Sequence, residues 1–430
     1  MNSNRIYHGE WWVPAVLDHD TSMLALEPKK AMGHEKKYIG TLTYSEEKGG
    51  TLEMYHVLSN FHAKVYHQND VMWGRDANGH IFTLFNVKMT EEQFGDFTCT
   101  KFAVAYILIG DHVLSAHDKC FKSCIVQFPY LRNWAFLNNI TSSNAGTNIS
   151  FKTPVYAEKL LETIHDEGVW WRLWQGQTIT RCIHDLQITQ TTYFEIEALE
   201  SISIVSCMKH LEEFAQFLSI ALYCDQNPSD IKFKNKENGR VCDFLFKKDI
   251  SVDPGVFSLI KFGLLKDKLP KMLIKWHTNF DKMAPVSSYM ISSLQKKNRF
   301  DVPDFLIIAQ ALDGYHKRFV NKKNGKDIKK YKDQIEILLN RFKDVDVIQE
   351  CRIIPEVLTD SRNYYSHLFP DDEIKSAVKG EELYFLTEKC KILLTCCILN
   401  MLGFTNKEIN ICCKNSPIQN IIDSLSFEFE

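Results

Sequence analysis

The chain has 430 residues, of which 45% are hydrophobic and 24% charged, and its formal net charge at pH 7 is −3. These values are typical of an ordinary soluble globular protein with ample core and two or three domains. The N-terminus lacks the apolar segment of a signal peptide, and the longest apolar run, 392–402, is far too short to span a membrane. The sequence therefore argues against secretion and against a membrane anchor.

The cysteine and histidine spacings do not predict a metal centre. The 13 cysteines include no C-x2-C pair, and the adjacent pairs at 396–397 and 412–413 fit neither a zinc site nor a disulfide framework. His56, His62 and His67 share a β segment without a matching carboxylate or cysteine pattern. We therefore expect reduced thiols in a cytoplasmic protein that has no metal site and no cofactor.

Positive charge is concentrated in one segment. Residues 231–350 hold 25 lysines and arginines against 15 aspartates and glutamates, so the rest of the chain carries −13 to give the total of −3. A basic segment of this kind suits a polyanionic partner such as a nucleic acid. Solvated helix faces would give the same composition, and the sequence leaves both interpretations open.

The first half of the chain reads as β-structure. Short runs rich in β-branched and aromatic residues, separated by turn signals, predict strands and hairpins at 38–44, 51–58, 71–89, 97–110, 120–128, 169–174, 177–183 and 191–196. The Ser/Asn/Gly-rich stretch 141–150 reads as a loop. This spacing predicts an antiparallel, sandwich-like domain over residues 1–199.

From about residue 200 the hydrophobic period changes to that of helices. Apolar residues recur at spacings of three and four, which predicts helices at 203–223, 269–279, 285–296, 302–320, 326–342 and 345–367. A last long helix has an apolar seam from Leu383 to Met401 and closes at Gly403. The sequence therefore predicts an α+β protein of two domains, with residues 200–430 forming an all-α bundle.

One short run in the helical half carries residue types suited to chemistry. Residues 362–367 read Arg-Asn-Tyr-Tyr-Ser-His, an Arg-x4-His pattern with a polar second residue, and Pro370 predicts that the helix ends near His367. Residues 75–80 match the same pattern, but they lie between two β-rich runs and read as a hairpin turn. We interpret that second copy as a chance match.

These residue types suit cleavage of RNA without a metal ion. The ribose 2′-OH must lose a proton to attack the adjacent phosphorus, and imidazole of His367 can take or give a proton near neutral pH. Guanidinium of Arg362 offers a planar fork to the phosphoryl oxygens. Asn363 could orient the histidine or bind phosphate, while Tyr364, Tyr365 and Ser366 are candidates for substrate binding.

The spacing of the motif raises a geometric problem. Arg362 and His367 are five residues apart, roughly 140° round an ideal helix, so one regular helix would not direct both at one atom. A frayed helix end or a second copy of the chain would, and a dimer with a composite site is one solution. The structural interpretation is simpler: the arginine pairs with Asp360 or Glu356, and the tyrosines belong to the core.

The order of these features resembles a known family. The helix at 305–318, which reads Phe-Leu-Ile-Ile-Ala-Gln-Ala-Leu-Asp-Gly-Tyr-His-Lys-Arg, and the 362–367 motif resemble the ApeA-like HEPN domain. The run Gly9-Glu-Trp-Trp-Val-Pro14 and the hairpins after it resemble the ApeA N-terminal domain. One departure is Asp313, where the family pattern has Glu.

The resemblance implies an antiphage abortive-infection protein. The HEPN bundle would be a ribonuclease active as a homodimer, with Arg362 and His367 catalytic and Asn363 supporting. The β-rich domain would sense a phage-derived trigger, and transfer RNA would be a suitable substrate. Two other hypotheses remain from the residues alone: a non-catalytic RNA- or ligand-binding protein whose helical domain dimerises, and a structural adaptor.

Overall fold

The structure is a computed structural model. It describes residues 4–14, 37–56, 68–93, 98–135, 141–145, 148–152, 156–165, 168–181, 186–295, 301–320, 322–323, 326–370, 374 and 376–426. The strands are Arg5–Trp12 (β1), Tyr38–Ser45 (β2), Gly49–His56 (β3), Gln68–Asp76 (β4), Ile81–Gln93 (β5), Thr98–Ile109 (β6), Phe121–Gln127 (β7), Thr141–Ala145 (β8), Asn148–Lys152 (β9), Glu158–His165 (β10), Val169–Arg181 (β11), Leu186–Ile202 (β12), Asp230–Asn235 (β13), Val241–Phe246 (β14), Lys322–Lys323 (β15) and Lys326–Asp327 (β16).

Helices dominate the chain after residue 200. They are Leu131–Trp134 (α1), Ile204–Leu222 (α2), Phe262–Leu265 (α3), Leu269–Gln295 (α4), Val302–Tyr315 (α5), Tyr331–Arg341 (α6), Asp346–Cys351 (α7), Pro355–His367 (α8), Glu381–Leu402 (α9), Asn406–Cys413 (α10) and Pro417–Ser426 (α11). A π-helical turn, His316–Val320, extends α5.

Six antiparallel strands close into a small barrel. Their order is β6-β3-β2-β1-β4-β5, and β5 pairs back onto β6 so that the ring of strands is complete. Alternate side chains such as Leu42, Leu52 and Phe82 are fully buried inside it. Trp11 packs over Gly74, where a Cβ would collide with the indole ring, so this interior requires glycine at that position.

The barrel continues into an open sheet that supports the helices. Strand β6 also pairs with β14, and the order runs on as β14-β13-β7-β12-β11-β10. Helices α2 and α4 cover one face, and the rings of Phe194 on β12 and Phe214 on α2 stack with centroids 3.8 Å apart. Helix α2 begins at Ser203, whose hydroxyl accepts a hydrogen bond from the backbone N–H of Ser206.

Helix α9 is the centre of the helical bundle. Sixteen of its 22 residues are buried, and helices α4, α5, α6 and α7 pack around it. Lys391 of α9 lies in this interior and contacts Asp304 of α5 at 3.1 Å and Glu388 at 2.7 Å. A buried ammonium needs such partners, and these contacts fix α5 against α9.

The α+β prediction is confirmed, with an antiparallel β-rich first half and a helical second half. Two details of the β-rich half differ from expectation. Its strands form a barrel that runs into an open sheet rather than two packed layers, because β5 finds a second partner in β6. The stretch predicted as a loop at 141–150 lies mostly in a hairpin of β8 and β9.

The domain boundary predicted after residue 199 stays a prediction. In the structure two strands from beyond it, β13 and β14, return to the sheet of the first half and lie between β7 and β6. The helix predictions were close, with three exceptions. The helix predicted at 326–342 begins only at Tyr331, after the short strand β16. The segments at 269–279 and 285–296 form one helix through Pro285, and the segment at 345–367 is divided at Arg352.

Candidate functional site

Helix α8 carries the whole Arg-x4-His motif. It begins at Pro355, a residue suited to the first helical position, and stays helical through His367. Leu368 then adopts a left-handed conformation, with φ of 53°, and its N–H donates to the carbonyl of Tyr364. The motif therefore occupies the last two turns of a regular helix, and the end of that helix does not unwind before His367.

Two hydrogen bonds fix this part of α8 to the segment before α9. Ser361 is fully buried, and its hydroxyl accepts the backbone N–H of Val378 at 3.1 Å. The Tyr365 hydroxyl donates to the carbonyl of the same residue at 3.1 Å, and its ring lies 6.1 Å from that of Phe305. Tyr365 thus has a packing role, whereas Tyr364 lies edge-on to it with the ammonium of Lys379 over its ring.

Arg362 and Asn363 line a surface cavity of ≈ 380 Å³. The guanidinium donates to the Asn363 side-chain oxygen at 3.1 Å and lies 5.5 Å from the ring centroid of Tyr331. Burial raises the pKa of the Tyr331 hydroxyl well above its usual value, so it remains a neutral phenol. The arginine is therefore positioned from two sides, by an amide and by an aromatic face.

The other residues around this cavity are mostly cationic. They are Asp313, Lys317, Lys329, Lys330, Tyr331, Lys332 and Thr359. Lys317 pairs with Asp313 at 2.7 Å. Lys332 pairs with Glu356, and this hydrogen bond raises the pKa of the lysine. With Arg362, five cationic side chains and one carboxylate line the cavity, so the local charge favours an anionic ligand.

His367 lies at the exposed end of the helix. Its ring centroid is 5.5 Å from that of Phe369, and Ser366 beside it is exposed as well. Five residues separate it from Arg362 on a regular helix, roughly 140° of rotation, so the two side chains leave α8 in different directions. Within one chain the structure therefore brings Arg362 and Asn363 together but does not join them to His367.

The simpler structural interpretation of the motif is only partly met. Glu356 pairs with Lys332, and Asp360 accepts a hydrogen bond from Ser376, so both carboxylates have partners other than the arginine.

The second copy of the pattern is a hairpin turn as predicted: the Asp76 carboxylate contacts the His80 ring at 2.7 Å and accepts the backbone N–H of His80.

The sequence predicted a basic segment but not its location beside Arg362. Four lysines of the cavity, Lys317, Lys329, Lys330 and Lys332, fall within the basic segment 231–350.

Of the histidines considered in the sequence as weak metal candidates, His62 and His67 lie outside the described residues. No helix in the described ranges is long and apolar enough to cross a membrane.

A helical bundle with an Arg-x4-His motif at the end of one helix, following a β-rich half in the sequence, is typical of an HEPN-type protein. The model of ApeA N-terminal domain 1 matches residues 6–276, and the model of the Apea-like HEPN domain matches residues 306–408. Because the first match covers more than half of the chain, the chain belongs to the ApeA family. No curated protein and no solved structure was found to match it.

Family membership confirms the resemblance drawn from the sequence. It associates the chain with antiphage defence and with a nuclease-type HEPN fold, a kind of domain that typically dimerises and binds RNA.

Proposed function

We propose that this chain is a metal-independent endoribonuclease of an abortive-infection system. Arg362 and His367 would be its catalytic residues and Asn363 a supporting one. The observation that carries the proposal is the cationic cavity beside the motif, where four lysines join Arg362 and Asn363. A phosphodiester backbone is a common ligand for such a charge arrangement.

Each residue of the motif has a distinct task in this proposal. The 2′-OH of the ribose loses its proton to one imidazole as its oxygen attacks the adjacent phosphorus. The 5′-oxygen of the next nucleotide leaves and gains a proton from a solvent water, so the products end in a 2′,3′-cyclic phosphate and a 5′-OH. Arg362 stabilises the charge on the phosphoryl oxygens, and Asn363 holds its guanidinium through the 3.1 Å hydrogen bond.

The neighbouring residues divide into substrate and packing roles. Tyr364 and Ser366 would contact a base or the sugar-phosphate backbone, since an aromatic ring stacks on any base. Tyr365 was a candidate for the same role, but its hydroxyl is bonded to the Val378 carbonyl. We assign it to positioning of α8 rather than to the substrate.

The site we propose is composite and forms in a homodimer. The helix is regular through His367, so fraying does not bring this histidine to Arg362 of the same chain. Beside His367 the chain exposes Leu368 at 85% and Phe369 at 37%, two apolar side chains that a second copy would cover. That copy would place its own arginine near this histidine.

The remaining parts of the proposal concern control. We assign residues 1–199 a sensor role and residues 200–430 the nuclease role, with a phage-derived trigger acting on the β-rich half. Strands β13 and β14, which come from the second segment but lie in the sheet of the first, offer a direct mechanical connection between the two. Transfer RNA in the cytoplasm is the substrate class we favour.

Cleavage of total RNA by purified protein in the presence of EDTA tests this function. The wild-type chain and the Arg362→Ala and His367→Ala variants would be compared, with and without extract from phage-infected cells. The matched controls are Arg75→Ala and His80→Ala, which alter the same pattern in the hairpin. We expect discrete fragments with 2′,3′-cyclic phosphate ends from wild type and both controls, and none from the two motif variants.

Two results would reject the nuclease. Wild-type protein could bind RNA with a steep salt dependence yet leave it intact even in infected extract, which is the behaviour of a non-catalytic binding protein. Alternatively, fragments could persist in the His367→Ala variant, which would identify a contaminating nuclease or a different catalytic group. Toxicity on overexpression that survives Arg362→Ala would point the same way.

A further inference from the structure

Three histidines and a glutamate meet where the open sheet contacts the helices, far along the chain from the α8 motif. His165 is the last residue of β10, His210 and Glu213 lie on α2, and His277 lies on α4. Because His210 and Glu213 are three residues apart, their side chains share one face of α2. The indole N–H of Trp276 donates to the Glu213 carbonyl at 2.8 Å and so holds α4 beside that face.

The polar atoms of this cluster are close enough to share one ion. The candidate ligand atoms of His210, Glu213 and His277 all lie within 4.8 Å of one another. The His277 Nδ1 atom is 2.6 Å from the Glu213 carboxylate, and the ring centroids of His165 and His277 are 4.6 Å apart. The three donors in this space suit the short bonds of one metal ion, about 2.0–2.1 Å for zinc to nitrogen.

Burial makes the cluster costly unless something binds its polar atoms. The Glu213 side chain is 1% exposed, and an isolated buried carboxylate is strongly unfavourable. His165 is 6% exposed, and within the described part of the chain neither its Nδ1 nor that of His210 has a hydrogen-bond partner. Unsatisfied ring nitrogens beside a buried carboxylate are an arrangement that a cation would complete.

Burial also affects the titration of two of these imidazoles. Burial, and next the nearby His277, lowers the pKa of His165 to about 3, and the same causes lower that of His210 to about 4. The fully buried Trp171 packs against this cluster, with its ring 4.1 Å from His165 and 5.9 Å from His210.

We propose that His210, Glu213 and His277 bind one Zn²⁺ ion that joins α2 and α4, with the ring of His165 packed beside them. Imidazoles with one carboxylate suit zinc better than magnesium or calcium, which prefer oxygen ligands throughout. Zinc would take the place of the proton shared by His277 and Glu213. The three protein ligands leave the fourth tetrahedral position to a water molecule. The site lies on other elements than the α8 motif and is separate from RNA cleavage.

Metal analysis of the full-length protein, purified after growth in zinc-containing medium, tests the site. We expect one zinc per chain, and a fall to below about a tenth of that in the His210→Ala and Glu213→Gln variants, because loss of a ligand weakens binding by at least tenfold. His316→Asn is the matched control. It removes a histidine that is also buried but lies in the π-helical turn, and it should leave the zinc content unchanged.

A conservative variant separates ligation from packing. His277→Cys supplies a thiolate, itself a zinc ligand, and should retain zinc, whereas His277→Asn should lose it. Should the ligand variants fail to fold, the wild-type chain alone still tests whether the site binds a metal. After refolding with Co²⁺ in place of zinc it should show the visible absorption of a tetrahedral cobalt site.

Three outcomes would overturn the proposal. The first is wild-type protein without stoichiometric zinc whose melting temperature does not move when ZnCl₂ is added. The second is zinc that stays bound in a folded His210→Ala, Glu213→Gln double variant. The third is equal loss in the His277→Cys and His277→Asn variants, which would show that the ring only fills space.

Discussion

The exposed end of α8 and the buried cluster at β10, α2 and α4 use histidine in opposite surroundings. His367 is exposed at a helix terminus, where a substrate can reach it. His165 and His210 lie against Trp171, and burial lowers the pKa of both rings. An imidazole needs access for proton transfer and enclosure for structural metal binding, so burial distinguishes the two functions where residue type does not.

The largest effects are expected when one histidine is removed from the α8 motif and one from the buried cluster. We expect His367→Ala to lower RNA cleavage by about 100-fold or more, the usual scale for loss of a general acid–base, with no change in melting temperature. His210→Ala should lower the melting temperature of the protein instead. Thermal unfolding and cleavage rates measured on the same two preparations check both. A large melting shift in His367→Ala would assign that histidine to the fold.

The composite site can be tested by mixing two inactive variants. A heterodimer of Arg362→Ala and His367→Ala chains keeps one site in which arginine and histidine come from different copies. If the site is shared, random pairing should restore roughly a quarter of wild-type cleavage. Cleavage assays of the refolded mixture against each variant alone give the answer. A mixture as inactive as its components would place both residues of each site on one chain.

Charge at the cavity should have a smaller effect than loss of either catalytic group. Lys329→Glu with Lys330→Glu should weaken RNA binding by about tenfold at moderate salt, and should reduce the salt dependence, because phosphate contacts are lost. Lys271→Glu with Lys343→Glu changes the net charge equally at exposed positions away from the cavity lining. Fluorescence anisotropy of labelled RNA over a salt series distinguishes them. Equal losses would mean that only the overall charge matters.

The α8 motif and the buried cluster also differ in how far they could be predicted from the sequence. The α8 motif is local: six consecutive residues and Pro370 predict both the helix end and the chemistry. In the buried cluster only His210 and Glu213 are near in sequence, while His165 and His277 are brought in by β10 and α4. No spacing rule connects residues across such distances, so the sequence does not predict that these four side chains meet.

The same reasoning applies to the elements that were placed incorrectly. Closure of the barrel depends on β5 pairing with β6, a long-range register that alternation along single strands does not contain. Two helices were predicted where α4 is one, with Pro285 at the start of the second. Val286, Ser287 and Met290 beside it are buried, and their packing keeps the helix continuous. By contrast, the break before α8 had a local signal in Pro355, which disfavours helix at Ile354.

The smallest effect is expected at the hairpin copy of the motif. His80→Ala removes a side-chain contact with Asp76 in which the histidine is 54% exposed, so it should cost at most about 1 kcal/mol of stability and leave RNA cleavage unchanged. Urea unfolding and the cleavage assay measure the two quantities. A loss of cleavage here would mean that the β4–β5 turn contributes to the nuclease. The same six-residue pattern would then contribute to cleavage both in a hairpin and in a helix. In that case the residue types, and not their structural surroundings, would determine its function.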